Sequence, residues 1–485
     1  MMIKQTRNIQ CGLLTAVLLA PVLETKAQDR KPNIIFILAD DMGYGDLACY
    51  GNPIIDTPNI DTLASEGRRF THFYAGAAVS TPSRVSLMTG RFPIRYNVGE
   101  VFRDKNEYLV EEEVNLAKVL KAAGYATAHI GKWHLGGLRD VDLERRDEGI
   151  ATSPGPMQQG FDHSLTSIEG KPIRAELMTS DRLYKEAGEH LIRDDQYAPE
   201  DNNHWEDIKT AEALRLMEEY SRGDKPFFIN LWLDSPHAPY EATERHLDKY
   251  LEMGAEGYRA NFYSMVAHID ENLGKIKSKL KELGIDDNTI IIFTSDNGPA
   301  HHGSAGPFKG AKTDLHEGGV RVPAIIWWNG VISSGVDHNC YHFTDFLPTL
   351  NTLGGGEPLP TLYQGDGEDI SEALLSESIE RRTRENRIFF IMNKGGNSQL
   401  QIPRPQPHPT YAVIDGKWKL TADIVDGELV ALELYDLMSD QHELKNLLGK
   451  HPEIEKSLYD YMKQTLDEPR TLWDYELGYD ENDDK

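Results

Sequence analysis

The chain has 485 residues, with 51 Lys and Arg against 78 Asp and Glu, a formal net charge of −27. This acidic excess argues against a nucleic-acid partner, whose phosphates are bound by Lys and Arg, so any anionic ligand must meet cations gathered locally. With 39% hydrophobic, 9% aromatic and 27% charged residues, the composition is globular rather than disordered or fibrous, and the length suits one large domain and one smaller one.

Lys4 and Arg7, the apolar run Leu13 to Leu23 broken by Thr15 and Pro21, and Thr25-Lys26-Ala27 read as a secretory signal peptide over residues 1–27. Its apolar part is too short to span a bilayer, and Cys11 precedes that part, which argues against a lipid attachment site. The expectation is export to the periplasm without membrane insertion. Loss of Lys4, Arg7, Lys26 and Glu24 takes the net charge from −27 to −29. Cys49 and Cys340 then remain, read as two small hydrophobes rather than a disulfide.

Next, Asn33 to Ala39 (NIIFILA) is a continuous apolar run, as expected of a strand buried on both faces. Thr57-Pro58 opens a helix with Ile60, Leu63 and Ala64 on one face and Gly67 at its end, and Phe70 to Ala75 reads as the next strand. Asn115 to Gly124 is a capped amphipathic helix before the strand Tyr125 to Gly131. Pro226 to Leu233 and Thr289 to Thr294 repeat the buried-strand type, with a long helix over Tyr258 to Leu283 between them. The stretch Gly136 to Asn203 has weak periodicity and many charges, and reads as long loops.

This alternation predicts an α/β domain over residues 28–385, with a large mixed, mostly parallel sheet flanked by helices. From about Arg387 alternating aromatic-bearing stretches predict a smaller antiparallel sheet, closed by a helix over His451 to Thr465. Residues 386–485 thus form a C-terminal α+β subdomain with an acidic tail from Glu476 to Lys485.

In an open α/β sheet, ligands bind beyond the carboxyl ends of the strands. There NIIFILA is followed by Asp40-Asp41, TIIIFT by Ser295-Asp296-Asn297-Gly298, and FFINLWL by Asp234-Ser235-Pro236-His237. Asp40, Asp41, Asp296 and Asn297 are hard oxygen donors, suited to Ca²⁺ or Mg²⁺. Any one of them taken alone reads equally as a turn or cap residue. Ser80-Thr81-Pro82-Ser83-Arg84 places Ser80 just ahead of a helix N-terminus, which favours an anion, with Arg84 one turn in. In Gly131-Lys132-Trp133-His134, an extended backbone turns Lys132 and His134 to one side and Trp133 to the core. Lys309 to Arg321 adds Lys309, Lys312 and a Gly-rich turn. Cations around a hard metal imply an anionic substrate group.

Seven ordered blocks now resemble the type I sulfatases of the alkaline phosphatase superfamily: NIIFILADDMGYGD (Asn33 to Asp46), TPNIDTLASEGRRF (Thr57 to Phe70), STPSR (Ser80 to Arg84) running on to Thr89-Gly90-Arg91, GKWHLG (Gly131 to Gly136), SPHAP (Ser235 to Pro239), TSDNG (Thr294 to Gly298) and EGGVRVP (Glu317 to Pro323). STPSR resembles the family's Cys/Ser-x-Pro-x-Arg signature, whose first residue is oxidised to formylglycine (3-oxoalanine). Serine at position 80 resembles the enzymes matured by a radical-SAM partner in anaerobic bacteria.

The resemblance implies an alkaline phosphatase-like fold and a reaction. One hydroxyl of the formylglycine hydrate at position 80 would attack sulfur, and the second would lose a proton and expel sulfate, whereas plain serine would stay esterified. By matching positions, Asp40, Asp41, Ser80, Asp296 and Asn297 would hold one Ca²⁺. Arg84 and Lys132 would steady the hydrate and sulfate oxygens, and His134 would be the base. His237 and Lys312 would bind sulfate on the leaving-group side, with His237 the acid. Lys309 does not match the family lysine. His301 and His302 could line the pocket or be loop histidines, and Ile402 to Pro409 its rim or a plain surface loop.

The expected substrate is a sulfated carbohydrate, and the blocks Arg91 to Tyr96 and Gly306 to Glu317 resemble enzymes acting on galactose or N-acetylgalactosamine sulfates. Two alternatives stand: a phosphodiesterase or phosphonate hydrolase of the same superfamily, and a non-catalytic sulfated-glycan binding protein if Ser80 is not oxidised.

Overall fold

The computed structural model describes residues 30–102, 107–136, 154–167, 191–198, 203–360, 363–392 and 408–468. The signal-like segment, the acidic tail, most of the stretch 136–203 and residues 402–407 of the Pro-rich stretch lie outside the described residues.

Ten strands form the large sheet: β1 (Asn33–Ala39), β2 (Arg68–Tyr74), β3 (Ala126–Gly131), β4 (His163–Ser167), β5 (Leu191–Arg193), β6 (Gln196–Tyr197), β7 (Phe227–Trp232), β8 (Thr289–Ser295), β9 (Ala324–Trp328) and β10 (Gly335–His342). Their order is β10-β2-β9-β8-β1-β7-β3-β4-β5-β6. The central strands β8, β1, β7, β3 and β4 run parallel, while β9, β5 and β6 pair antiparallel. The expected α/β architecture with a mixed, mostly parallel sheet is what the chain adopts. Within 136–203, expected to be loops, the described part includes β4, β5 and β6 at one end of the sheet.

β1 shows why these runs become central strands. Ile34, Phe36 and Leu38 enter one core, and Ile35, Ile37 and Ala39 the other, because successive side chains point to opposite faces. Helices Pro58–Glu66, Trp205–Ser221 and Tyr258–Leu283 cover the second face through Ile60, Leu63, Leu216, Phe262 and Ile269. Helices Ser80–Thr89, Leu116–Ala122 and Phe346–Leu353 cover the first through Val85, Met88, Leu120 and Leu350. Cys49 and Cys340 are free and half-buried, packed against different hydrophobic clusters.

A second sheet, in the order β11-β12-β13-β14, is antiparallel throughout: β11 (Ile388–Ile391), β12 (Tyr411–Asp415), β13 (Trp418–Val425) and β14 (Glu428–Asp436). Helix Pro452–Asp467 closes it through buried Leu458 and Met462. This sheet shares a core with Ala78, Val79, Leu315 and Val320, beside helix Ser80–Thr89 and helix Glu317–Val320.

Charge also ties the two sheets together. Lys419 Nζ of β13 lies 3.0 Å from Glu317 Oε1 and 2.9 Å from Glu443 Oε1, all three side chains fully buried. Glu317 also accepts from Tyr74 Oη at 2.8 Å and pairs with Arg321. His316 bridges Asp314 (2.5 Å) and Glu433 (2.7 Å). Burial pulls its pKa down, but hydrogen bonds to Asp314 and Glu433, with the charges of Asp314 and Glu443, outweigh it and hold it at about 9. Its stabilisation is therefore complete below the usual histidine value and lost as pH rises through about 9. A His316→Gln variant is expected to lose up to about 3 kcal/mol of this pH-dependent stability, so its Tm against pH should be flatter than that of the parent above neutrality. Parallel curves would remove His316 from the account.

Candidate active site

Because the central strands are parallel, the segments after β1, β3, β7 and β8 emerge at one edge of the sheet. The backbone fastens them together: Asp40 N donates to Ser235 O (3.1 Å), Asp296 N to Ala39 O (3.0 Å) and Lys132 N to Trp232 O (3.0 Å). At Gly131, φ is +105° and a Cβ would lie 1.8 Å from Trp232 O, so only glycine lets β3 turn this closely past β7.

Ser80 is the first residue of helix Ser80–Thr89, with Val79 as its cap. It is not ahead of the helix, as the position of Pro82 suggested; Pro82 is the third helical residue, still in the turn whose N–H groups have no helical partner. Ser80 Oγ lies 3.4 Å from Asp40 Oδ1 and 3.5 Å from Asn297 Oδ1. Asn297 Nδ2 donates to Asp41 Oδ1 (2.8 Å) and Gly298 O (2.9 Å), which leaves its Oδ1 turned toward Ser80.

Three cations close on these groups. Arg84, fully buried, donates through Nη2 to Asp40 Oδ2 (3.2 Å) and Asp296 Oδ2 (2.9 Å), and through Nη1 to Lys132 O (3.2 Å). Lys132 Nζ reaches Asp40 Oδ2 (2.5 Å) and Lys312 Nζ reaches Asp41 Oδ2 (2.7 Å). Burial raises the Asp40 pKa, but Lys132, His237, Arg84 and Lys312 together hold it well below the carboxylate range. Asp296 moves the other way, raised by burial and by the Asp40 charge. Burial works against the Lys312 ammonium, and Asp41 and Asp40 more than restore it.

His237 Nδ1 donates to Ala238 O (2.5 Å), which leaves Nε2 facing Asp41 Oδ2 at 3.5 Å. Burial, then Lys312, lower its pKa. Among the described residues, Asp40, Asp41 and His237 form the group that brings three ligand atoms within 4.8 Å of one another. The donors fit a hard divalent cation: carboxylate and amide oxygens with one imidazole and no thiolate. His237 lies beside these oxygens through Nε2, its ring turned toward Asp41. The carboxylate of Asp296 is engaged by Arg84 and, through Oδ1, by the Asp41 N–H.

The expected geometry of Lys132 and His134 needs correction. β3 ends at Gly131 and His134 has φ +53°, so strand alternation does not set their directions. His134 instead comes beside the nucleophile position through its carbonyl, which accepts from Thr81 Oγ1 at 3.0 Å. Trp133 is fully buried, as expected. Lys309 turns away, to Glu433 (3.2 Å) and Tyr435 Oη (3.1 Å). The block Arg91 to Tyr96 is tied into the scaffold: Arg91 pairs with Glu113 and lies over the Tyr363 ring, and Arg95 pairs with Asp366.

Several supporting residues carry no local motif. Glu206 Oε1, on helix Trp205–Ser221, accepts from Asp234 N (3.0 Å), Ser235 N (2.8 Å) and buried Lys209 (2.9 Å), and so holds the loop bearing His237. The Arg84 guanidinium lies over the Trp232 ring, 4.8 Å from its centroid. His129, edge-on to Trp232, is kept neutral by burial and then by Arg84, at a pKa of about 3.

The Sulfatase family model matches residues 32–356. Human arylsulfatase A is 34% identical over 465 residues, covering 87% of this chain and 84% of that protein. N-acetylgalactosamine-6-sulfatase of Sus scrofa is 33% identical over 407 residues, 78% of this chain and 72% of that protein. A solved structure described under metabolism of multiple glycosaminoglycans by Bacteroides thetaiotaomicron superposes with TM-score 0.70 at 26% identity, covering 90% of this chain and all of that one.

Proposed function

The chain belongs to the sulfatase family and is a sulfuric ester hydrolase, and we propose that it removes sulfate from carbohydrates, with galactose or N-acetylgalactosamine sulfates preferred. The observation that carries this reading is the setting of Ser80: buried at a helix N-terminus, beside Asp40 and Asn297, with Arg84, Lys132 and Lys312 gathered around an acidic cluster. The relatives named for N-acetylgalactosamine support the sugar preference.

Oxidation of Ser80 to formylglycine by a radical-SAM maturase would supply a hydrated aldehyde with one hydroxyl to attack sulfur and a second to release sulfate. A Ca²⁺ ion held by Asp40, Asp41, Asp296, Asn297 and residue 80 would draw charge from the sulfate oxygens. Around them the chain's own residues act. Arg84 fixes the directions of Asp40 and Asp296. Lys132 and Lys312 compensate the carboxylates and offer positive charge to the sulfate. Against burial and Lys312, the charges of Asp41 and Asp40 favour the imidazolium of His237; in that form, with a proton on Nε2 as well as on Nδ1, His237 would protonate the leaving oxygen, and His134 would take the proton that frees the product. Export follows from the signal-like residues 1–27 and would place the enzyme where extracellular glycans arrive.

Chelation tests this reading. Enzyme matured in its host and assayed on a panel of sulfated monosaccharides is expected to lose its activity in EDTA and regain it with Ca²⁺. Activity indifferent to chelation removes the ion, and phosphodiester cleavage with no sulfate release removes the substrate class.

A further inference from the structure

His237 and Lys312, assigned above to the leaving-group side, sit on two loops that a small aromatic cluster joins. Tyr240 follows His237 by three residues, and its hydroxyl lies near the His302 backbone N–H. His302 lies on the loop whose Pro299 carbonyl accepts from Lys312 N at 2.9 Å. The Tyr240 and His302 rings meet edge to face at 5.1 Å, and the Tyr258 ring lies 6.2 Å from His302 and 5.9 Å from Tyr240. Tyr240 is close enough to Asp41 to feel its charge. Tyr240 itself is buried, whereas Tyr258, the first residue of helix Tyr258–Leu283, is 46% exposed and His302 is half-buried.

Beside them Arg259 is exposed and close enough to His302 for its charge to act on that imidazole. Burial, then His301, then Arg259 lower the His302 pKa, so its imidazole is neutral at neutral pH and presents an uncharged ring. A galacto-configured sugar has its axial hydroxyl on one face and a patch of C–H groups on the other. Such a patch is desolvated well by flat aromatic side chains, and an adjoining sulfate or carboxylate by an arginine.

We infer that His302 and Tyr258, backed by Tyr240, form a stacking platform for the sugar on the leaving-group side of the sulfate, with Arg259 receiving an anionic group of the adjoining residue. The inference rests on the sulfatase reading and deepens it. The occupant is an anionic oligosaccharide, and these residues determine its specificity while taking no part in the chemistry.

The test uses the mature full-length enzyme, the best sulfated galactose or N-acetylgalactosamine substrate from the panel, and a tetrasaccharide ending in that sugar. Tyr258→Ala and His302→Ala are expected to raise KM for the tetrasaccharide about fivefold to tenfold with kcat little changed. Inhibition by inorganic sulfate should keep its parent constant, since sulfate needs only the cationic well. Tyr258→Phe, which retains the ring, should restore KM. Weakened sulfate inhibition in the alanine variants would mean that the cluster merely props the catalytic loops, and unchanged KM would mean that no sugar stacks there; either overturns the platform. A parent enzyme that releases no sulfate from any ester removes the functional reading and the platform with it, whereas an active parent with unaffected variants removes the platform alone.

Discussion

Ser80→Ala lowers sulfate-ester turnover by about 10⁴-fold or more and leaves the melting curve where it was. The two halves of this expectation have separate physical causes. Alanine has no oxygen for a maturase to oxidise, so neither hydroxyl of a hydrate can form and no covalent route to sulfate exists. The fold keeps its stability because Ser80 Oγ makes only the long contacts of 3.4 and 3.5 Å to Asp40 and Asn297, and because alanine is the better helix former at the start of this helix. Intact-peptide mass spectrometry is the companion measurement: the parent peptide containing position 80 should lack two hydrogens. Full activity with unmodified serine at that position would defeat the mechanism, and an inactive parent carrying only serine would favour the sulfated-glycan binding alternative.

Lys419→Met is expected to be the most damaging single change away from the catalytic residues. It keeps the volume of the side chain but leaves the carboxylates of Glu317 and Glu443 buried without the cation between them. Removing one partner of a buried ion pair costs about 3–5 kcal/mol, which thermal unfolding would register as a loss of several degrees in Tm. Glu317 keeps Arg321 and Tyr74, so the strain concentrates on Glu443, whose pKa burial already raises. Adding Glu443→Gln to Lys419→Met should therefore recover part of the loss, because the amide oxygen can still accept from Glu317 N. Glu317 follows the Lys312 loop directly, so the single variant should also release sulfate more slowly. A double variant no more stable than the single one would show that charge burial is not the cause.

The strands legible in the sequence were those whose context is simplest. β1, β7 and β8 are buried on both faces and read as unbroken apolar runs. The long helix Tyr258–Leu283 was legible to its ends because Gly257 and Gly284 punctuate it. β10 does not read as a strand in the sequence: its residues Gly335 to His342 mix buried and exposed positions around an irregular register with β2. Extended alternation beyond β3 would pair Lys132 with His134, but His134 lies past the strand end with a left-handed backbone, which breaks that alternation.

What the sequence by itself determined is the chemistry at the sheet edge. Oxygen donors directly follow two strand runs that parallel pairing must bring out on the same side, and Ser80 with Arg84 occupies a helix start that local rules identify. Only the tertiary structure decided which groups meet. It turned Lys312 onto Asp41 and Lys309 away to Glu433, set Trp232 against Arg84, anchored the His237 loop on Glu206, and brought His302 to Tyr240 and Tyr258. The reason is physical: periodicity fixes side-chain direction only inside regular elements, and these residues act from loops and helix ends, where direction is set by hydrogen bonds and packing between segments far apart in the chain.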